Sequence, residues 1–278
     1  MQLLAPAKIN LALHVTGQRP DGYHLIDTLV TFANFGDRLQ FQPGEGLNLT
    51  LSGEEAAGLE TGSENLVLKA ASLLRDHLGS PELGATIHLQ KNLPTASGIG
   101  GGSADAAATL IGLCNLWELD LDLPALQKLA LPLGADIPMC LAGQSARVSG
   151  IGEVIEPIDL PPLALVLVNP RIAVSTPLVF STLDQKNNPP LPDSGTPWLD
   201  HLPDLRNDLQ PAALQLAPII GDCLKSLEGF DACRLARMSG SGATCFGLFE
   251  TADEAQSAAA ELRRRHPDWW VADTKTIG

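Results

Sequence analysis

The sequence predicts an α+β protein arranged in two lobes. Segments with period-2 alternation and segments with helical periodicity follow one another along the chain. They do so without a regular βαβ rhythm and without an internal repeat. The 278 residues, 45% apolar and 18% charged, are enough chain to bury the core of one large domain or of two intimate ones. We expect an N-terminal domain over 1–155 and a C-terminal domain over 156–278.

The elements follow in order. Residues 3–16 and 26–51 read as extended segments: Leu11, Leu13 and Val15 alternate with Ala12, His14 and Thr16, and Asp37, Gly44-Glu45-Gly46 and Gly53 punctuate them. Over 65–78 the period changes, with Leu66, Ala70, Leu73, Leu74 and His77 on one helical face and Gly79 as the stop. Alternation returns over 84–91, before a glycine-rich loop at 98–102. A helix starting near Ser103 then places Ala106, Leu110, Leu113, Cys114 and Trp117 on one side, and a second helical stretch over 122–131 leads to Gly134-Ala135-Asp136-Ile137-Pro138. Residues 145–158 read as a hairpin turning at Gly150 and Gly152, and Leu163–Val168 as a buried strand. The segment 184–204 holds five prolines and reads as a surface loop. One long helix is expected over 208–228, two strands around a glycine-rich turn over 233–249, a helix over 252–266 and a last strand over 270–276.

Composition narrows the functions. The formal net charge of −14 speaks against nucleic acid as a partner, because a phosphate-backbone binder needs a basic stripe. The one basic run, Arg263-Arg264-Arg265, lies beside Glu261 and Asp268 and reads as a solvated helix face. No window reaches the ~18 uninterrupted apolar residues of a membrane helix. The opening Met-Gln-Leu-Leu-Ala-Pro-Ala-Lys lacks the basic start and apolar run of a signal peptide, so we expect a cytoplasmic protein with no membrane partner. Five cysteines, at 114, 140, 223, 233 and 245, form no CxxC pair and read as buried free thiols. No heptad or exposed apolar helix stands out, so the oligomeric state is not readable. An acidic protein that handles anions must hold them locally, with backbone N–H groups and a few cations.

One segment has that character. Pro94-Thr95-Ala96-Ser97-Gly98-Ile99-Gly100-Gly101-Gly102-Ser103 lies between a strand and a helix. Its four glycines let the backbone take positive φ and approach a ligand closely. Successive N–H groups can then face one concavity, and the following helix adds roughly half a positive charge at its N-terminus. The loop is not a Walker A motif, since no lysine precedes the serine, and Ser103 stands where a Rossmann fingerprint needs glycine. The HRD and DFG partners of a protein-kinase loop are missing. Phosphate binding is the favoured reading; a tight turn with Ser103 as helix N-cap is the alternative. Arg237-Met238-Ser239-Gly240-Ser241-Gly242-Ala243-Thr244-Cys245-Phe246 is a second small, hydroxyl-rich turn. Alone it reads equally as a hairpin turn, and its value depends on lying opposite the first loop.

Lys8 is one of few polar side chains in an apolar strand, Ala5-Pro6-Ala7-Lys8-Ile9-Asn10-Leu11. A half-buried lysine is costly without a partner, although an exposed edge-strand lysine is the simpler alternative. Asp136 reads either as a plain N-cap before Pro138 or as a functional carboxylate. A Lys–Asp pair suits phosphoryl transfer: the carboxylate orients or accepts the proton of an acceptor hydroxyl, and the ammonium keeps it ionised. Tyr23, the only tyrosine, and His24 follow the turn-rich Gly17-Gln18-Arg19-Pro20-Asp21-Gly22. On a loop they can stack on a base and bond its edge, or serve no function at all.

Taken together, Pro6 to Leu11, Thr16 to His24, Leu93 to Ala107, Gly134 to Pro138, Ser175 to Phe180, Asn207-Asp208-Leu209 and Met238 to Phe246 resemble, in register, the 4-diphosphocytidyl-2-C-methyl-D-erythritol kinases, a branch of the GHMP kinases. The resemblance runs from about residue 3 to beyond residue 250. The glycine loop and the Gly-Ser-Gly turn are shared across GHMP kinases; Asp21-Gly22-Tyr23-His24 is more specific and separates this branch from mevalonate, homoserine and galactose kinases. The resemblance implies the two-lobed GHMP fold with mixed and antiparallel sheets and the active site in the cleft between lobes. It implies transfer of the γ-phosphoryl of ATP, with Mg2+, to the 2-hydroxyl of the methylerythritol unit of a cytidine diphosphate substrate, in the non-mevalonate route to isoprenoid precursors. By motif, Asp136 would be the base, Lys8 its electrostatic partner, and Asn10 would position the methylerythritol end. Tyr23 and Phe180 would sandwich the cytosine and His24 would read its edge. Pro94, Thr95, Ala96, Ser97, Gly98, Ile99, Gly100, Gly101, Gly102, Ser103 and Ala104 would wrap the ATP phosphates, with Asn65 near the nucleotide, and Gly240, Ser241 and Gly242 would close on the substrate phosphates. Ala96 and Ser97 stand where many relatives have glycine. The motifs assign no Mg2+ ligands, and Mg2+ often binds mainly through phosphates and water. Two other readings stand beside this one: a GHMP kinase with a different small-molecule acceptor, and a catalytically silent ligand sensor on the same fold.

Overall fold

Alternation in the first forty residues produces two long strands, β1 (Gln2–Gln18) and β2 (His24–Pro43). In this computed structural model, which describes residues 1–193 and 197–277, the chain forms two units. The first holds Met1–Ala7, Phe35–Thr95 and Gly100–Gly143; the second holds Lys8–Asn34, Ala96–Ile99 and the chain from Gln144 onward. Each of the two long strands therefore gives one part to each unit, and the glycine-rich loop is divided in the same way.

In the first unit, the second half of β2 pairs antiparallel with β4 (Ala85–Gln90), Arg38 opposite Gln90, and β3 (Leu47–Ser52) runs parallel to β4, Leu47 opposite Ala85. Leu39, Phe41, Leu49, Ile87 and Leu89 are buried, the period-2 face of a half-covered sheet. Helix α1 (Leu66–Leu78) starts where Asn65 accepts the N–H of Val67 and stops at Gly79, φ 63°. It packs on α2 (Gly101–Leu116), whose small side chains allow close approach. α3 (Leu123–Ala130), capped by Asp122, and α4 (Ile137–Ala142) complete this unit.

In the second unit, the first half of β2 pairs with β5 (Ala146–Gly150), Ile26 opposite Gly150, and β5 turns into β6 (Val154–Pro157). A separate antiparallel sheet is built from β7 (Ala164–Asn169), β8 (Cys233–Met238), β9 (Cys245–Phe249) and β10 (Trp270–Lys275), in the order β10-β7-β9-β8. The short helices α5 (Thr176–Ser181) and α6 (Trp198–His201) follow β7; α7 (Gln210–Leu216) and α8 (Ile219–Glu228) precede β8, and α9 (Ala252–Arg265) precedes β10. Val166, Val168, Ile220, Leu227, Phe249 and Leu262 meet Leu13 and Val15 of β1 in one apolar core. Arg237 is buried beside it and donates to the carbonyls of Leu11, Leu202 and Leu205 (2.6, 3.0 and 2.5 Å). Burial lowers its pKa to about 10, so it keeps its charge at neutral pH. Thr251 and Glu254 cap α9 reciprocally. The run Arg263-Arg264-Arg265 is exposed and paired with Asp273 and Glu261, the solvated face expected of it.

The α+β class holds, and so do the hairpin at Gly150 and Gly152, the buried strand after residue 163 and the paired strands after residue 233. Three expectations change. The helix expected near Ser103 begins at Gly101, with Gly100 in the left-handed region as its N-cap. The helix expected over 208–228 is two helices, because the residue before a proline is pushed out of helical geometry, and Ala217 before Pro218 sits at φ −143°, ψ 79°. The loop expected over 184–204 contains α6 and a tight turn at Leu202–Asp204, because Trp198 and Leu202, four apart, both bury. Its first part is strapped down: the Asn188 N–H donates to the Val15 carbonyl (3.0 Å) and the Leu191 N–H to Asp27 (2.9 Å), which Arg147 holds by two hydrogen bonds. Residues 194–196 of that expected loop lie outside the described residues. Helix α5 has no counterpart in the periodicity.

A β-carbon on Gly112 would lie 2.4 Å from the ring of Phe41. Gly112→Ala should therefore cost about 1–3 kcal/mol despite alanine's better helix propensity, read as a lower urea midpoint at unchanged slope.

Candidate active site

In the second unit the two glycine segments come together on β1. Lys8 and Asn10 lie two apart on one face of that strand, 5% and 2% exposed. The Lys8 N–H donates to the carbonyl of Ile99 (2.9 Å), which ties the first loop to the strand. The Asn10 N–H donates to Ser239 Oγ (3.0 Å), and Ser239 Oγ donates to the carbonyl of Gly98 (3.3 Å). The Thr244 N–H donates to the carbonyl of Ser97 (3.0 Å). The Gly-Ser-Gly turn thus lies directly against the first loop, the condition on which its functional reading rested.

The contact needs glycine. Gly98 and Gly240 have φ of 75° and 55°, and a β-carbon on either would come within 2.5 Å of a backbone oxygen of the other turn, that of Ser239 or of Gly98. Ala96 also takes a positive φ, 49°, so a residue with a side chain occupies a conformation that favours glycine. Ser97 is buried.

Asn10 is held from below. Its Nδ2 donates to Thr28 Oγ1 (2.8 Å), which donates to the carbonyl of Ala12 (2.5 Å). Its Oδ1 is buried and has no hydrogen-bond partner among the described residues. Asn207 Nδ2 donates to the carbonyls of Met238 and Gly240 (2.7 and 2.8 Å) and so shapes the second turn. Ser241 Oγ meets Thr176 Oγ1 at 2.7 Å. A pocket of about 470 Å³ in this unit, lined by Asp184, Arg206 and Gln210 among others, shares Asn207 with the arrangement but is not lined by Gly240, Ser241 or Gly242.

The aromatic residues are in the same unit. The His24 ring stacks on Phe180, centroids 4.8 Å apart and planes 25° apart. Burial, then the charge of Lys186, lowers the His24 pKa below its ordinary 6.5, and its Nε2 is buried with no partner among the described residues. Tyr23 is 60% exposed, on a turn fixed by its N–H to Asp21 and by an Arg19–Asp21 ion pair.

The first unit holds the rest. Pro94 and Thr95 precede the divided loop, and Gly100 to Ala104 form the start of α2, whose first-turn N–H groups have no carbonyl four residues back within the helix. Asn65 caps α1. Asp136 occupies the N-cap position of α4, and its carboxylate makes no capping bond to that helix. Under the start of α2 lies a charge cluster that sequence reasoning missed. Lys91 Nζ donates to Asp37 and, at 2.9 Å, to Asp105, all three buried. Asp37 also accepts the N–H groups of Asn92 and Leu93 (2.6 and 2.9 Å). Lys91 and Asp105 stand just outside the glycines, and a lysine ending an alternating strand before Pro94 was the available signal. Ser239, Thr28 and Asn207 were also missed, being ordinary polar residues whose value is purely positional.

Among the described residues no cluster of three or more His, Cys, Asp or Glu could hold a metal. No helix among the described residues is long and apolar enough to cross a membrane.

The fold and the opposed glycine turns define a GHMP kinase. Residues 65–144 match the GHMP kinases N terminal domain and residues 199–268 the GHMP kinases C terminal domain. The chain is 54% identical over 284 residues to the 4-diphosphocytidyl-2-C-methyl-D-erythritol kinase of Roseobacter denitrificans, covering 99% of this chain and 93% of that one. It is 54% identical to that of Rhizobium etli, over 98% and 94% of the two chains. A crystal structure of 4-(cytidine 5'-diphospho)-2C-methyl-D-erythritol kinase superposes over 100% of both chains with a TM-score of 0.84 at 36% identity. The R-mevalonate complex of L. major mevalonate kinase shares the fold, with a TM-score of 0.70 at 17% identity over 99% and 95% of the chains. The chain belongs to the 4-diphosphocytidyl-2-C-methyl-D-erythritol kinase family.

Gly98→Ala and Gly240→Ala should each destabilise the protein by about 1–3 kcal/mol, since each adds both a clash and a strained φ. Gly62, with open space and no positive φ, is the control. Thermal melts of the three variants check the order.

Proposed function

We propose that this chain transfers the γ-phosphoryl group of ATP to the 2-hydroxyl of 4-diphosphocytidyl-2-C-methyl-D-erythritol, in the non-mevalonate route to isoprenoid precursors, in the cytoplasm. The observation that carries the reading is the apposition of Gly98 and Gly240 on β1 beside Lys8 and Asn10, in a chain of this family.

Phosphoryl transfer asks a protein mainly for positioning and for charge stabilisation. In this reading, Pro94 to Ala104 wrap the ATP phosphates, which the backbone N–H groups of the loop between them and the N-terminal dipole of α2 hold, with Asn65 near the nucleotide. Asp136 takes the proton of the acceptor hydroxyl, and Lys8 is its electrostatic partner, steadying negative charge developing in transfer. Asn10 offers its unpartnered Oδ1 to the methylerythritol hydroxyls. Gly240, Ser241 and Gly242 close on the substrate phosphates. Mg2+, carried on the phosphates and water, would neutralise their charge. Phe180 gives the cytosine a stacking surface and Tyr23 covers its other face. His24, neutral at pH 7 because its pKa is lowered, presents both a donor and an acceptor to the base edge. A buried, unpartnered Nε2 beside a stacking ring is the feature a base edge satisfies.

Coupled ADP release over a panel of acceptors tests the reading. The cytidine diphosphate substrate should be consumed and mevalonate and homoserine should not; turnover of mevalonate at comparable efficiency would overturn it. Asp136→Asn should lower kcat by ~10²–10⁴ while ADP binding, read by calorimetry, is kept. The His24 reading predicts a pH profile. A depressed pKa favours the neutral ring at pH 7–8, so KM for the cytidine substrate should change little there and rise on the acid side of the ordinary histidine range as the acceptor nitrogen is protonated. His24→Gln should raise KM and abolish that acid limb.

A further inference from the structure

The Lys91–Asp37–Asp105 cluster is not used by the mechanism above, yet it lies beneath the helix start that the mechanism assigns to phosphate. Its partners are unequally satisfied. Asp37 receives Lys91 and two backbone N–H groups. Asp105 receives Lys91 on Oδ2 only, and its Oδ1 is buried with no partner among the described residues. One ammonium faces two carboxylates, so with both ionised the cluster carries a net negative charge out of water. That charge is close to the loop: a β-carbon on Gly101, the first residue of α2, would lie 3.5 Å from Lys91 Nζ and 3.6 Å from Asp37 Oδ2. A buried anion there opposes an incoming polyphosphate.

We infer that the cluster positions the phosphate loop and that Asp105 is its proton-accepting member, taking up a proton when nucleotide phosphate occupies the start of α2. Protonation lets the carboxyl keep its Lys91 contact as an acceptor while the cluster becomes neutral. Asp105 is the member open to this, because both Asp37 oxygens already accept N–H donors whereas Asp105 Oδ1 accepts none among the described residues. The environment points the same way. Burial first, and Asp37 second, push the Asp105 pKa up against the pull of Lys91, to about 7. Burial alone would lower the Lys91 pKa; the two carboxylates outweigh it and hold it above its ordinary value. The other elements packed on α2 bring little charge to this point. The buried residues of α1 are Val67, Ala70, Ala71 and Leu74, and those of α4 are apolar apart from the Cys140 thiol, with Asp136 at the N-terminal end of α4. Asp105 acts through the loop and is a positioning residue, not a catalytic one.

This inference rests on the nucleotide reading of the loop, and the test separates the two. ADP binding is measured by calorimetry at pH 8 in buffers of different ionisation enthalpy, for the wild-type enzyme and for Asp105→Asn. The wild type should take up at least about half a proton more per ADP than the variant. The ratio of wild-type to variant KM for ATP should rise about tenfold between pH 6 and pH 8, a comparison in which the titration of ATP itself cancels. Equal proton uptake with a flat ratio overturns the role of Asp105 and leaves the loop reading intact. Failure of the wild type to bind ADP overturns both. If Asp105→Asn does not fold, the wild type alone decides: the infrared difference spectrum on adding ADP at pH 8 must show a new protonated-carboxyl band, and its absence overturns the inference.

Discussion

The close approach of Gly98 to Gly240 is the constraint on which the candidate site depends. Two backbone turns meet where no β-carbon fits, and one hydroxyl, Ser239 Oγ, joins them by accepting from the Asn10 N–H and donating to the Gly98 carbonyl. A serine can do both at once because its oxygen is donor and acceptor. The turn above is fixed by Asn207, and β1 below is fixed by Arg237 and Thr28. Lys8 and Asn10 therefore gain their placement from partners distant in sequence, Ile99, Ser239 and Thr28 among them.

Charge is managed locally in a chain of net charge −14. The proposed anion-binding elements are backbone N–H groups and a helix terminus, which need no basic patch. Three cations serve structure: the buried Arg237 donates to three carbonyls, the buried Lys91 to two carboxylates and the half-buried Arg147 to Asp27. Each is neutralised or fully donated, as burial requires.

Much of this was legible in the sequence. The 65–78 helix could be read from its face of Leu66, Ala70 and Leu74 and its stop at Gly79, because cap and periodicity are local. The glycine loop could be read because four glycines in five positions have few other uses. The rest depends on partners distant in sequence. Ser239 is 229 residues from Asn10, and Lys91 is 54 from Asp37, so no local pattern marks them. The expected single helix over 208–228 failed because its apolar period continues across Pro218 while its backbone cannot. Tyr23 and His24, weak as a loop pair, gained meaning from resemblance, and the stack of His24 on Phe180 gives that pair a physical surface.

A crystal structure of the enzyme with a non-hydrolysable ATP analogue and the cytidine diphosphate substrate tests the central claim most directly. The account predicts the nucleotide phosphates in the loop from Pro94 to Ala104, on the backbone N–H groups between those two residues, the substrate diphosphate at Gly240 to Gly242, and the cytosine on Phe180 with its edge at His24. Phosphates held elsewhere, or a cytosine away from His24 and Phe180, would contradict it.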